Sequence, residues 1–435
     1  MQRTKILMLG WEFPPVINGG LGIACLGMAK ALSKHADLSI ILPKSDPDFI
    51  VDNVDLIGLN NLSEDDIRAA STTETQYNEF DDVSFVSTGG SILPYSSDDI
   101  KTSKILGTKV EGHLNVTEDN VSGLEMFKNE DLYGNDVINK VIQYAKFAAR
   151  IASKKDFDII HAHDWMTYLA GVEIKKMTGK PLAVHVHSLS YDRSGPEGRG
   201  WVYDVEKYGM EQADLVIPVS FYTGDVIKKN LGIDPGKIYP VHNGADKVEV
   251  HREEKGFPDK MVLFLGRVTI QKGPEIFLEI ASEVIKQHKH VRFVMAGTGD
   301  KLKRVIESGA YKHVGDKFHF TGFLNKEKVN RLLALADVYC MPSVSEPFGL
   351  SALEATQYGI PAVISKQSGV AEVLHGALKA DYWDVKLMAK YILDLIQDEE
   401  LCEQVAQAGY EDMKKLSWDD AAEKIMEVFN NYLHK

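Results

Sequence analysis

Short apolar runs alternate with helical patterns along most of the chain. Residues 6–10 form the first apolar run and residues 39–42 the second. Between them, apolar residues recur at the spacing of one helix face: Leu21, Cys25, Met28, Ala29 and Leu32. Such a face between two strand-like runs predicts a βα unit with parallel strands.

The alternation pauses and then resumes before residue 246. Residues 44–130 lose the long periodicity, carry many Ser, Thr, Asp and Asn residues, and contain short strand-like runs such as 83–86. A helix is then predicted at residues 137–153. Further strands are predicted at residues 159–162, 183–186, 215–219 and 238–244. We interpret residues 1–246 as one parallel α/β domain in which residues 44–130 are an elaboration.

A second βα series follows a charged, weakly apolar stretch at residues 247–260, which we interpret as an interdomain linker. Its strands are predicted at residues 261–265, 293–295, 318–320, 338–341 and 362–364. The predicted fold is therefore α/β, with two Rossmann-like, doubly wound parallel-sheet domains that face a cleft, the second at residues 261–410. The run from Ser417 to Asp420 resembles a capping box, and we expect residues 411–435 to pack back on the first domain.

Composition limits the possible functions. The chain has 435 residues, of which 44% are hydrophobic and 26% charged, as in folded proteins of two domains. A formal net charge of −14 opposes long-range attraction to nucleic acid or anionic lipid, so a polyphosphate ligand has to meet local cations.

The cysteines and the N-terminus indicate the compartment. The cysteines Cys25, Cys340 and Cys402 are far apart in sequence, which predicts neither a disulfide framework nor a thiolate metal site. The N-terminal apolar stretch is too short for a signal sequence or a membrane span. We expect a cytoplasmic protein.

Two cations follow the first strand of the second domain. Arg267 and Lys272 lie at a strand-to-helix junction, where a doubly wound sheet holds a diphosphate. A solvated surface pair is the alternative. The run from Ala296 to Gly299 lacks the third glycine of a dinucleotide fingerprint, and the chain contains no P-loop sequence, so hydride transfer and P-loop chemistry lose support.

Two carboxylates and a glycine follow the predicted strand at residues 338–341. Glu346 precedes the helix that opens near Gly349, and we expect its side chain to face the cleft. Glu354 lies within that helix among apolar neighbours, so we expect a buried carboxylate tied to a ligand rather than a solvated one. In the first domain, the pair Gly19-Gly20 either lets backbone amides approach an anion or simply permits a tight turn.

Histidines end two neighbouring strands of the first domain. His161 and His163 share one strand face, as do His185 and His187. This density could indicate a metal cluster. We expect instead that one histidine of each pair is a packed core residue, and we predict no metal site.

Together these motifs resemble the retaining GT-B glycosyltransferases, and the glycogen and starch synthase-like members most closely. The resemblance covers almost the whole chain. It rests on Glu346-x7-Glu354, Arg267-x4-Lys272, Gly19-Gly20-Leu21, His161-Ala-His163-Asp164-Trp165 and Val241-His-Asn243-Gly244.

The resemblance implies a role for each matching residue. Arg267 and Lys272 would bind the donor diphosphate with help from amides at Gly20, Gly349 and Leu350. Glu354 would hold the ribose, Glu346 the transferred sugar, and His163 a sugar hydroxyl. The implied catalytic set is His163, Glu346, Arg267 and Lys272. The implied substrate-binding set is Gly19, Gly20, Asp164, His187, Arg267, Lys272, Gly297, Phe323, Phe348, Gly349, Leu350 and Glu354.

The chain also departs from the family pattern. Bacterial-type synthases carry a lysine before the glycine pair, but Asn18 stands here, which leaves open both polymer synthesis and the choice of adenosine or uridine donor. The segment from His187 to Arg193 resembles a loop that borders the acceptor side in synthase-like and sucrose-phosphate-synthase-like relatives.

The resemblance implies transfer of glucose from ADP-glucose or UDP-glucose to the non-reducing end of an α-1,4-glucan, with retention and without a cofactor or metal. The first domain would lie on the acceptor side. Transfer to another acceptor, such as a small sugar, a sugar phosphate or a cell-surface glycan, remains open, as does a GT-B sugar-nucleotide epimerase. A metal-dependent hydrolase and a catalytically silent sugar-nucleotide-binding subunit are the more distant hypotheses. The oligomeric state is left open.

Overall fold

Two six-stranded parallel sheets form the centre of the computed structural model. The described residues are 3–17, 19–63, 65–66, 123–134, 136–195, 198–246, 250–311 and 314–434. Each sheet has an apolar cluster on both of its faces, as a doubly wound sheet does.

The first sheet has the strand order β3-β2-β1-β4-β5-β6. Its strands are β1 (Lys5–Leu9), β2 (Asp37–Leu42), β3 (Val54–Gly58), β4 (Ile159–His163), β5 (Leu182–Val186) and β6 (Leu215–Pro218). The order reverses between β1 and β4, which pair in parallel with Met8 opposite His161. A ligand crevice in such a sheet lies beyond the carboxyl ends of the strands at this reversal.

The second sheet repeats the same topology in the order β12-β11-β10-β7-β8-β9. Its strands are β7 (Lys260–Leu265), β8 (Val291–Ala296), β9 (Phe318–Gly322), β10 (Val338–Met341), β11 (Ala362–Ser365) and β12 (Leu378–Ala380). The reversal lies between β7 and β10, where Tyr339 pairs with Leu263. Arg267 and Glu346 follow these two strands, so the topology brings them to one edge.

Helices connect the strands. In the first half they are α1 (Gly20–Leu32), α2 (Glu125–Asn129), α3 (Val137–Ala152), α4 (Trp165–Thr178), α5 (Ser190–Ser194), α6 (Trp201–Gln212) and α7 (Phe221–Val226). In the second half they are α8 (Pro274–Gln287), α9 (Leu302–Tyr311), α10 (Lys326–Leu335), α11 (Leu350–Gln357), α12 (Val385–Gln397) and α13 (Glu399–Lys414). A last helix, α14 (Trp418–Leu433), ends the described chain.

Helix α14 belongs to the core of the first sheet. Ser417 caps it by accepting a hydrogen bond from the Asp420 amide at 3.0 Å, and Trp418 and Phe429 are buried with residues of β1 and α1. Met413, a few residues earlier, is buried against the second sheet. The chain therefore returns to the first half after α13, at Trp418 rather than at residue 411.

Several sequence predictions differ from the structure. The expected strand at 238–244 is reduced to a single bridge between Ile238 and Val216. The amides of Tyr239 and Val241 still donate to carbonyl groups of β6, but Pro218 has no amide hydrogen with which to return a bond and extend the ladder. The short edge strands β3 and β12 were missed. The strand-like run at 83–86 lies outside the described residues.

No helix among the described residues is both long and apolar enough to cross a membrane.

The contact between α1 and α14 depends on a glycine. A Cβ atom at Gly27 would lie 2.3 Å from Trp418 Cε2, whereas a Cβ at Gly20, on the same helix, would meet no atom within 4 Å. We expect Gly27→Ala to lower the free energy of unfolding by about 1–3 kcal/mol through overpacking, measured by denaturant titration. The matched control Gly20→Ala should not be destabilised, and equal stability of the two variants would contradict this packing.

Candidate active site

The first half-site lies where β1 leads into α1. Gly20 is exposed at the start of α1, so the first amides of this 13-residue helix can meet an anion. Gly19 is needed because a Cβ there would lie 2.4 Å from Glu12 Oε2. Asn18 lies outside the described residues.

The second half-site centres on an ion pair between Lys272 and Glu346. Lys272 ends the short 3-10 helix Ile270–Lys272, and its ammonium group contacts Glu346 Oε2. The Glu346 carboxylate also accepts a hydrogen bond from Ser343 Oγ at 3.3 Å and is 93% buried as a side chain (7% exposed). Burial this deep makes the loss of either partner costly, because the remaining charge would be left uncompensated.

Backbone close to the ion pair is held by glycines. Gly297, after β8, has a φ of 141°, and a Cβ there would lie 1.8 Å from the Gly266 carbonyl oxygen. That approach holds the β7 loop that carries Arg267, whose side chain is half-buried. Gly349 has a φ of 112° and caps the N-terminus of α11, which begins at Leu350. Phe348, just before it, is buried.

Glu354 differs from its predicted environment. Its carboxylate is a third exposed and forms an ion pair with Lys326 at 2.7 Å, so it is not a buried carboxylate. The helix α11 buries the apolar neighbours Leu353 and Ala355 and turns Glu354 toward α10. Phe323, in the loop after β9, is 79% exposed, so its ring is open to a ligand.

Four histidine rings form one contiguous cluster at the end of β4 and β5. His161 Nε2 lies 3.2 Å from His185 Nδ1, His163 Nε2 lies 3.3 Å from His161 Nδ1, and His163 Nδ1 lies 3.0 Å from His187 Nε2. Burial lowers the pKa of His161 and His187 to about 3. Burial also lowers the pKa of His163 and His185, so the cluster is neutral at neutral pH.

The histidine prediction was therefore incomplete. We expected one ring of each pair to be a core residue, but all four are in contact, and only His187 is more than slightly exposed. Cys25, which the helical pattern assigned only to a core face, also reaches the cluster, with its Sγ 3.6 Å from His163 Nδ1. Sequence spacing could not show this contact, because α1 and β4 are far apart in the chain.

Asp164 follows the cluster in a strained conformation. It has φ 65° and ψ 164°, a region that residues other than glycine rarely adopt. Its side chain is buried, and burial raises the pKa of the carboxyl group to about 7. Strain of this kind is concentrated at functional sites.

Direct contacts join the two halves of the chain beside the candidate site. Ser345, next to Glu346, donates a hydrogen bond to Asp192 Oδ1 at 2.5 Å, and Tyr222 OH lies 2.9 Å from Ser345 Oγ. Helix α5, which carries Asp192, packs against the turn that carries Lys272. Glu372 adds a second connection, since it pairs with His242 at 2.6 Å and accepts hydrogen bonds from the amides at the start of α7. No sequence motif indicated Ser345 or Glu372.

Two family models cover most of the chain. The model for the starch synthase catalytic domain matches residues 5–226, and the model for glycosyl transferases group 1 matches residues 247–412.

Similar proteins extend over almost the full length. The chain is 24% identical to an uncharacterized glycosyltransferase of Methanocaldococcus jannaschii, over 98% of this chain and 97% of that protein. It is also 24% identical to a glycogen synthase of Mycobacterium tuberculosis, over 98% of this chain and 94% of that protein.

Solved structures share the fold. A sucrose-phosphate synthase from Thermosynechococcus elongatus superposes with a TM-score of 0.70 at 16% identity and covers 99% of this chain and 100% of its own. The catalytic domain of starch synthase IV from Arabidopsis thaliana, bound to ADP and acarbose, superposes with a TM-score of 0.68 at 16% identity, over 100% of both chains.

The strain at Asp164 predicts an unusual stability order. Glycine adopts positive φ without steric cost, whereas alanine does not. We therefore expect the Asp164→Gly variant to be more stable than the Asp164→Ala variant, with a free energy of unfolding about 1–2 kcal/mol higher. Both variants lose the same carboxylate, and their difference isolates the backbone. Denaturant titration measures it, and an Ala variant as stable as the Gly variant would rule out the strain.

The buried histidines predict a pH effect. In the unfolded chain a histidine binds a proton below about pH 6.5, whereas His161 in the fold binds one only near pH 3. Between about pH 6.5 and pH 3 the unfolded state therefore binds more protons at His161 than the folded state does. This contribution to the free energy of unfolding falls as the pH falls through this range. We expect His161→Gln to reduce the slope of the free energy of unfolding against pH by about 1.4 kcal/mol per pH unit.

The measurement compares the parent protein with the His161→Gln variant. The free energy of unfolding of each is determined by denaturant titration between pH 6 and 4 with chelator present, and the two slopes against pH are subtracted. The raised pKa values of Asp164 and Glu206, about 7, and of Asp192, about 6, act in the opposite direction. These carboxyl groups are present in both proteins and cancel from the difference. Identical slopes would show that His161 is protonated in the fold.

Proposed function

The chain belongs to the starch synthase family of GT-B glycosyltransferases, and on that premise we propose that it transfers glucose from ADP-glucose or UDP-glucose to the non-reducing end of an α-1,4-glucan with retention. The observation that carries this proposal is the buried contact between Lys272 and Glu346 at the strand reversal of the second sheet. It supports the proposal because a cation that would bind the diphosphate lies beside a carboxylate that would bind the sugar.

The second domain, residues 261–410, would hold the donor. Departure of a nucleoside diphosphate builds negative charge on the leaving oxygen, and fixed donors stabilise that charge without reorganisation. Lys272 and Arg267 would supply cations, while the amides that begin α11 at Leu350 would supply hydrogen bonds. The amide at Gly20 approaches from the first half, and the backbone near Gly297 would border the nucleoside.

The two carboxylates would have separate tasks. Glu346 would contact the transferred glucose and the positive charge that develops at its anomeric carbon. Glu354 would accept hydrogen bonds from the ribose hydroxyls. Its exposed position suits this task, since it only has to exchange Lys326 for the ribose. Phe323 and Phe348 would enclose the nucleoside side.

The first domain, residues 1–246, would hold the acceptor. His163 is neutral because burial lowers its pKa, so it would act as a neutral donor or acceptor and not as a cation. It is fully buried, so a sugar hydroxyl would have to replace His187 at its Nδ1. Asp164 and His187 border the same position. Residues 44–130 would extend the acceptor surface.

Retention would follow because the acceptor attacks the anomeric carbon from the same face of the glucose ring from which the diphosphate departs. The anomeric C–O bond breaks first, its electron pair goes to the phosphate oxygen, and the acceptor oxygen forms the new bond. The same phosphate oxygen then takes the acceptor proton, so the reaction is balanced without a metal. A covalent glucosyl intermediate on Glu346 is the competing route.

A small phosphorylated acceptor is the second candidate. The superposition with a sucrose-phosphate synthase favours it, and the α5 loop with Asp192 and Arg193 would border such an acceptor. Arg193 already pairs with the buried Glu206 at 3.1 Å, which holds its guanidinium group beside this loop.

The proposal is tested by incubating the protein with chelator, maltooligosaccharide and either ADP-glucose or UDP-glucose. We expect chain extension with one donor, measured as product length and released diphosphate. Diphosphate released only with a sugar-phosphate acceptor would establish the second candidate, and epimerised donor in the absence of acceptor would overturn both.

Substitutions test the ion pair. We expect Lys272→Met and Glu346→Gln each to lower the transfer rate at least about 100-fold, since each removes a group that stabilises transition-state charge. The matched control is Lys286→Met on α8, whose exposed ion pair with Glu283 at 2.6 Å lies outside the site. Circular dichroism verifies folding, and a folded Lys272→Met variant with normal turnover would contradict the proposal.

A further inference from the structure

The contacts of the histidine cluster converge on a single atom. His163 Nδ1 lies 3.0 Å from His187 Nε2 and 3.6 Å from Cys25 Sγ. Cys25, His163 and His187 each offer one ligand atom, and the three atoms lie within 4.8 Å of one another. Two neutral imidazoles and a sulfur therefore meet around one point, and the glucosyl transfer proposed above requires no such arrangement.

The spacing matches a tetrahedral metal site. With Zn–N bonds of about 2.0–2.1 Å and a Zn–S bond of about 2.3 Å, tetrahedral geometry separates neighbouring ligand atoms by roughly 3.3–3.6 Å. The Cys25–His163 separation already has this value, and the His163–His187 separation needs to open by only a few tenths of an ångström. Small side-chain rotations are enough for that.

The other three-histidine group does not converge in the same way. His161, His163 and His185 are also within ligand distance of one another, but His161 uses its Nδ1 toward His163 and its Nε2 toward His185. One ion cannot lie between both contacts. His161 instead fits the outer shell, because it contacts the nitrogen of His163 that would lie opposite the metal. His185 contacts His161 in turn.

The surroundings favour a cation. Asp164 is 4% exposed, and its Oδ1 has no hydrogen-bond partner among the described residues. Burial, followed by the charges of Glu12 and Asp164, raises the pKa of the Cys25 thiol, so its thiolate would form only together with a bound metal. A bound cation is one kind of partner that a buried carboxylate oxygen such as Asp164 Oδ1 can take.

We propose that Cys25, His163 and His187 form a binding site for Zn²⁺ or a similar first-row dication that prefers nitrogen and sulfur ligands. Three protein ligands leave a fourth position, on the side of the half-exposed His187. Binding exchanges metal-bound water for the three side chains, and the Cys25 thiol releases its proton to solvent. The bound ion ties α1 to β4 and to the segment after β5, and it occupies the His163 nitrogen that the acceptor side would otherwise use.

Cobalt(II) is a direct probe, since its spectrum reports geometry and sulfur ligation. We expect the full-length protein, first treated with chelator and dialysed, to bind one equivalent of Co²⁺. The spectrum should show the strong visible bands of tetrahedral coordination and a near-ultraviolet sulfur-to-cobalt band, and one equivalent of Zn²⁺ should abolish both.

Variants identify the ligands. Cys25→Ser should remove the sulfur-to-cobalt band, and His187→Gln should weaken Co²⁺ binding at least about 10-fold, since even an outer-shell change costs that much. Cys402→Ser is the matched control, because this half-buried thiol lies in the other half of the chain. Circular dichroism confirms folding, and Cys25→Ala replaces Cys25→Ser if the latter does not fold.

Three results would overturn the assignment. They are the absence of saturable Co²⁺ binding, a sulfur band that survives in Cys25→Ser, and binding that is lost in His185→Gln but unchanged in His187→Gln, which would locate the ion in the three-histidine group. Each is read from spectra and stoichiometry without an activity assay, so failure of this proposal is separate from failure of the glycosyltransferase assignment.

Discussion

The buried ion pair between Lys272 and Glu346 is the interaction on which the rest of the site depends. Each partner alone would be an uncompensated, largely buried charge. Removing one partner of such a pair costs about 3–5 kcal/mol, which is a large fraction of the free energy of unfolding of a typical protein. The backbone near the pair can adopt few other conformations. Gly349 has a positive φ, and Gly297 lies so close to the Gly266 carbonyl oxygen that no side chain would fit there. The ligand groups are thus oriented before a ligand arrives.

The segment that carries Glu346 also links the two halves. Glu346 follows Ser345, whose hydroxyl bonds to Asp192 of the first half, and burial raises the pKa of that aspartate to about 6. A residue next to the donor carboxylate therefore contacts the loop that leads out of the histidine cluster. Any change in the relative position of the halves has to break or move this contact, so the proposed donor and acceptor sides are mechanically connected.

Much of this arrangement could be predicted from sequence because it follows from local patterns. Apolar runs and helix faces give parallel βα units, and parallel strands bring Arg267, Glu346 and His163 to carboxyl ends without further information. The features that the sequence did not predict have a different origin. Whether Glu354 is buried depends on where α10 places Lys326, and residues 238–244 fail as a strand because of one proline. Cys25 joins the histidines through a long-range contact that no spacing encodes.

The histidine chain shows how far such a contact can reach. An ion on His163 Nδ1, or a ligand that donates a hydrogen bond to this atom, requires the proton on His163 Nε2, which then donates to His161 Nδ1. His161 must in turn carry its proton on Nε2 and donate to His185 Nδ1. The last proton falls on His185 Nε2, a buried nitrogen without a hydrogen-bond partner among the described residues. Binding at the cleft therefore selects one tautomer in all of these rings, and it makes this core nitrogen of His185 a donor.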